Sequence, residues 1–177
     1  MIKKIAIALT LQIILFLGYV STKQSKFQYE RSGMINAPAD KIYPYLSNFK
    51  LGYTWNPYDQ KDPNIKRNFK GTEGAVGSIM EFDGNAEAGT GTLELLKAVP
   101  NESSEIRLVM TKPIHADNLI QYKLIPEGTG TRFSWTMSGD GGFFGKLISV
   151  FIDCEKMVTK DFVVGIENLK KVVESQK

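Results

Sequence analysis

At 177 residues, 42% hydrophobic and 23% charged, the chain has the size and balance of one globular domain with a short appendage. The net charge of +3 is unevenly distributed: residues 1–26 hold Lys3, Lys4, Lys23 and Lys26 and no acid, which leaves 18 basic against 19 acidic residues beyond them. A near-neutral domain lacks the basic face that nucleic-acid binding requires, and a single cysteine, Cys154, with a single histidine, His115, excludes an intramolecular disulfide and a structural zinc site.

The N-terminal segment begins with two lysines and then runs from Ile5 to Val20 with only Thr10 and Gln12 as polar interruptions. Sixteen helical residues at a rise of about 1.5 Å cover about 24 Å, close to a bilayer core. A cleaved signal peptide would have this charge and length, but "LGYVSTKQ" offers only poor small-x-small cleavage sites. The expectation is therefore an uncleaved membrane anchor over residues 1–22 with the N-terminus held in the cytoplasm, a short linker at 23–26, and a domain at 27–177 on the extracytoplasmic side. Secretion or periplasmic release after cleavage is the alternative.

"KFQYERSGMI" alternates as a first strand, and "NAPADKIYPYLSNF" places Pro38 at the start of a short helix carrying Ile42, Tyr45, Leu46 and Phe49 at helical spacing, with Pro44 inside it. "WNPYDQKDPNIK" combines Trp55 and Tyr58 with two prolines and reads as an ordered loop, either a gate or a hydrophobic plug. From Asn64 to Met137 the pattern turns to period two. "IKRNFKG", "GSIMEFDG", "GTGTLELLKAV", "SEIRLVMTKP", "HADNLIQYKLI" and "GTRFSWTMSG" are separated by hairpin-length turns, which predicts an antiparallel meander with one apolar and one wet face.

"GTRFSWTMSGDGGFFGKLISVF" then runs from a strand through glycines and a Gly-Lys pair into a helix, in the manner of a phosphate-binding loop. The resemblance fails where it matters: Asp140 stands in place of the first glycine and Leu147 in place of the magnesium-binding hydroxyl. These glycines serve to turn the chain. Leu147, Phe151, Cys154, Met157 or Val158, Phe162, Ile166, Leu169 and Val173 follow at three-to-four spacing, and predict one helix of about thirty residues, about 45 Å long, that covers the apolar face of the sheet.

Two acid/base candidates stand out. His115 and Asp117 are two apart on a strand and share a face, as a base and its orienter would. Glu81 and Asp83 alternate with Met80 and Phe82, so one residue of register decides whether the acids or the apolar side chains point inward. No Gly-x-Ser-x-Gly elbow is present, which disfavours a serine hydrolase.

The motifs "INAPADKIYPYLSN", "WNPY", "GTEGAVGSIMEFDGN", "GTGTLELL", "GTRFSWTMSG" and "KDFVVGIENLKKV", in that order over about residues 27–174, resemble the START-like SRPBCC superfamily in its polyketide cyclase/dehydrase-like branch. The resemblance implies an α+β helix-grip fold: a curved antiparallel sheet of about seven strands wrapped around a long C-terminal helix, with short helices after strand one. It also implies a ligand cavity between sheet and helix, for which Trp55, Met80, Phe82, Leu108, Met110, Tyr122, Phe133, Trp135, Phe144, Phe151 and Met157 are the candidate lining. The implied function is binding of a hydrophobic small molecule of lipid, quinone or polyketide-like class, by a membrane-tethered non-catalytic carrier or sensor, with no cofactor or metal and no nucleic-acid partner. A cyclase- or dehydrase-type enzyme using His115 or Glu81 is the second reading. An envelope protein-interaction module with a filled core is the third.

Overall fold

The computed structural model describes residues 1–175. Helix α1 (Ile2–Ser21) leads into β1 (Lys26–Ile35), followed by α2 (Ala39–Ser47), the single turns α3 (Phe49–Gly52) and α4 (Pro57–Gln60), and strands β2 (Lys66–Lys70), β3 (Ile79–Asp83), β4 (Thr90–Val99), β5 (Ser103–Lys112), β6 (Ala116–Glu127) and β7 (Gly130–Asp140). Two helices, α5 (Gly142–Ser149) and α6 (Cys154–Glu174), follow as the last elements among the described residues. All seven strands form one antiparallel sheet in the order β1-β7-β6-β5-β4-β3-β2, so the first strand closes on the last. This is the α+β helix-grip architecture.

Alternation fixes which side chains face the helix. Reading across the paired registers, Tyr29, Met137, Ile120, Ile106 and Leu95 form one row of the inner face, and Arg31, Trp135, Tyr122 and Ser104 form the next. Helix α6 lies on this face with Phe162, Ile166, Leu169 and Val173 buried, each contributing about 1.5–3 kcal/mol by burial. Two glycines permit its close approach. A Cβ on Gly33 would lie 2.6 Å from Ile166 Cγ2, and one on Gly165 would lie 2.6 Å from Trp135 Cζ3. Helix α6 runs in the same direction as β1: Glu155 lies near Arg31, and Glu174 accepts a hydrogen bond from the Asn36 amide near its C-terminal end.

The C-terminal segment is two helices, not the single helix of about thirty residues that its periodicity predicts. Asp153 interrupts it: its carboxylate accepts a hydrogen bond from the Lys156 amide at 2.9 Å and caps α6. The apolar pattern continues across the break because Val150, Phe151 and Ile152 are apolar, although the backbone between the helices is not helical.

Candidate functional site: the grip between sheet and helix

The grip has two unlike halves. Toward the C-terminal half of α6 it is filled by aromatic rings. Trp55, only 2% exposed, enters from the α3–α4 connection and meets Tyr122, Phe133 and Trp135 edge-on at centroid distances of 5.8, 6.2 and 5.4 Å. Trp135 stacks on Phe162 at 4.4 Å. The Trp55 indole N–H donates to the Tyr45 carbonyl at 3.1 Å, which locks the ring in place. Trp55 is thus a plug, and the cavity that the fold implies is occupied here by the protein's own side chains. One donor is unsatisfied: Trp135 Nε1 is buried with no hydrogen-bond partner among the described residues, a condition native proteins rarely leave without a water or ligand.

Toward the N-terminal end of α6 the cover is incomplete. Tyr29, Leu108, Met110 and Met137 project from the inner face but are only half-buried, and Cys154 and Val158 are the half-buried residues of α6 at this end. The fastening there is slight. Arg31 reaches Glu155 at 3.6 Å, with both side chains well exposed, a pair worth about 0–1 kcal/mol. The apolar floor therefore extends beyond the part of the helix that is packed down on it.

Polar groups rim the grip. Burial, followed by the neighbouring Asp161, holds the Tyr58 hydroxyl far above the usual phenol range. Burial likewise raises Tyr122, with Tyr58 and Asp59 adding to the effect. Tyr29 is raised by burial first and then by Cys154, Glu155 and Asp153. These phenols stay protonated at neutral pH, and that of Tyr58 hydrogen-bonds Asp161. The carboxylates beside them are engaged: Asp59 pairs with Arg67, and Asp161 accepts from Lys61 at 2.7 Å.

The acid/base candidates lie elsewhere. His115 is exposed in the β5–β6 turn, and Asp117 is held by Arg107, whose Nη2 is 2.6 Å from it, on the outer face. Glu81 bonds Lys70 and Asn68 on the outer face, which lowers its carboxyl, while Met80 and Phe82 are buried on the inner one. Of the other lining candidates, Trp55, Tyr122, Phe133 and Trp135 meet in the filled half, and Leu108 and Met110 lie in the open half. Phe144, Phe151 and Met157 are not brought to the grip: they are 55%, 73% and 58% exposed, the first two because the helix expected to carry them inward is broken at Asp153, and Met157 because α6 turns the adjacent Val158 toward the core instead. Sequence reasoning passed over Tyr29 and Met137 as lining, although their alternation on β1 and β7 marks them. It had no means of finding the Asp59–Arg67 and Lys61–Asp161 pairs.

Residues 26–174 match the family described as polyketide cyclase/dehydrase and lipid transport. The chain belongs to this family. Solved structures with the same fold include a protein from Mesorhizobium loti, 17% identical with a TM-score of 0.64, the match covering 85% of this chain and 99% of that one. The Aha1 dimer from Colwellia psychrerythraea is 18% identical, with a TM-score of 0.59 over 84% of this chain and 96% of that one. DynU16, from the dynemicin biosynthetic locus, is 10% identical, with a TM-score of 0.59 over 85% of this chain and 48% of that one. At these identities the likeness shows the fold alone. A comparison with curated protein sequences finds no match. Within this cyclase/dehydrase and lipid-transport family the helix-grip fold is typical of hydrophobic-ligand binding. The added α1 is long and apolar enough to cross a membrane, a property that signal sequences share, and is compatible with membrane association.

Proposed function

We propose that the chain holds a hydrophobic small molecule of lipid, quinone or polyketide-like class in the open half of the grip, as a membrane-tethered carrier or sensor without catalytic activity. The observation that carries this reading is the half-covered apolar floor formed by Tyr29, Leu108, Met110 and Met137 beneath the loosely fastened start of α6. Lifting that end breaks one exposed ion pair, worth at most about 1 kcal/mol, and uncovers the partly buried Val158 and the buried Thr159, whereas lifting the other end would expose Phe162, Ile166, Leu169 and Val173 at about 1.5–3 kcal/mol each. A guest is therefore admitted at the N-terminal end of α6. A polar atom on that guest, reaching past Met137, would satisfy the orphaned Trp135 N–H. The family description supports the ligand class, since polyketides and lipids are both poorly soluble. The paired carboxylates and protonated phenols of the grip offer no free base, which favours binding over turnover.

The test is extraction of the full chain from its native membrane in polymer-bounded lipid discs, followed by mass spectrometry of the bound small molecules. One species should be enriched in near-stoichiometric amount over the bulk disc lipid, and Met137→Trp, which fills the open half, should abolish the enrichment. Absence of an enriched species would refute this site and favour the interaction module with a filled core, and enrichment that survives Met137→Trp in a variant of unchanged thermal midpoint would refute this site in favour of another on the same chain.

A further inference from the structure

The apolar residues that do not reach the grip are gathered at one place. Phe143 and Phe144 of α5, and Phe151 and Ile152 of the turn after it, are 50%, 55%, 73% and 48% exposed. They adjoin the C-terminal end of α1. The Phe16 and Phe151 rings lie 6.0 Å apart, and Lys146 Nζ donates to the Ser21 carbonyl at 3.0 Å. At the same end of α1 the half-exposed Tyr19 carries the Lys23 ammonium over its ring at 4.5 Å, an aromatic and a cation of the kind that marks a membrane–water boundary.

We propose that α5 and the turn that follows it, residues 142–152, form a foot bedded in the surface of the bilayer that α1 enters. This rests on the anchor reading of α1. Its twenty residues at a rise of about 1.5 Å span about 30 Å, the thickness of a bilayer core. Phe16 lies five residues before Ser21, the end of the helix, and hence about 7.5 Å deeper along its axis. A ring that touches Phe16 shares that depth, within the 5–10 Å at which interfacial helices lie. Continuity with α1 therefore assigns the patch to lipid and not to a protein partner. Lys23, Lys26 and Lys146 lie at the level of the headgroups, where anionic phosphates would receive them. The foot also orients the domain. The Gly141 amide just before α5 donates to the Ser25 carbonyl just before β1, so the uncovered end of the grip, at Tyr29, is held beside the membrane surface.

The full chain with Cys154→Ser is given one new cysteine at a time by Leu9→Cys, Phe144→Cys, Phe151→Cys or Thr129→Cys. It is labelled with an environment-sensitive fluorophore and reconstituted in phosphatidylcholine–phosphatidylglycerol vesicles containing either deep doxyl-labelled lipids, which read position 9, or shallow ones, which read the other positions. Thr129 lies in the β6–β7 turn, at the far end of β7 from α5, and serves as the dry control. Quenching at positions 144 and 151 should be several-fold stronger than at 129. Quenching at 9 with positions 144 and 151 as dark to lipid as 129 would overturn the foot and leave the anchor standing. If 9 is not quenched, the anchor reading fails: quenching at 144 and 151 would then uphold the foot as a membrane contact in its own right, and its absence there would overturn both.

Discussion

Replacing Trp55 with alanine removes the ring on which the filled half of the grip is built. The side chain is 2% exposed and touches three other aromatic rings, and its N–H bond to the Tyr45 carbonyl is lost with it. Truncating a buried tryptophan in a site that cannot collapse costs about 3–5 kcal/mol. Collapse is restricted here because Trp135 is wedged between Phe162 and the edge of Gly165. Against a total stability of about 5–15 kcal/mol the variant remains folded but much weakened. The chain has two tryptophans, so in Trp55→Ala the fluorescence of Trp135 alone reports urea unfolding of the domain in detergent micelles. With a denaturant slope near 2 kcal/mol per molar, the midpoint should fall by about 2 M. Trp55→Phe, which keeps an aromatic ring and loses the indole N–H, should cost only about 1–2 kcal/mol. Because emptied apolar cores take up small apolar molecules, Trp55→Ala should also bind a probe such as benzene in the filled half of the grip, which Trp55 closes to it in the parent chain. A midpoint shift equivalent to less than about 1 kcal/mol would refute the description of Trp55 as a packed plug.

Asp153→Ala removes the cap of α6 and should cost about 0.5–2 kcal/mol. Amide exchange should accelerate at 154–158 while residues 162–173 keep their protection, and uniform acceleration would contradict a helix fastened at one end. The Asp117 carboxyl lies below the ordinary aspartate range chiefly through its hydrogen bond to Arg107. Its folded pKa is depressed, so its contribution is present above the unfolded pKa and is lost as pH falls through the folded one. Arg107→Ala should bring its midpoint up toward the ordinary value, read by carboxyl NMR titration, and an unmoved midpoint would assign the depression to another partner.

The strands were legible because half-buried antiparallel strands print their burial directly as period two. Met80 and Phe82 inward with Glu81 and Asp83 outward is the register that alternation favours. The long C-terminal helix was legible only in part, because three-to-four spacing reports apolar residues and not what they touch. Phe144 and Phe151 satisfy the pattern of a core-facing stripe, yet they lie on the other side of the Asp153 break with no sheet beneath them. A capping aspartate between two apolar runs was the available signal. The plug at Trp55 was not legible, since a loop tryptophan becomes a core residue only through contacts with strands some 65–80 positions later. The division of the grip into a filled and an open half has the same origin: it depends on where Gly33 and Gly165 let the helix descend, which is a property of the pair of elements and of neither alone.

The pairing of β1 with β7 imposes an order in time. Strand β1 leaves the ribosome first among the strands, but its sole neighbour in the sheet is completed only with Asp140, roughly a hundred residues later. At about 5–20 residues per second the wait is about 5–20 s. Through that interval Phe27, Tyr29 and Ile35 have no partner strand, while β2 to β6 can already zip hairpin by hairpin. The sheet is thus closed at one stroke near the end of synthesis, and α6, which needs β1 beneath it, is the last element to find its place.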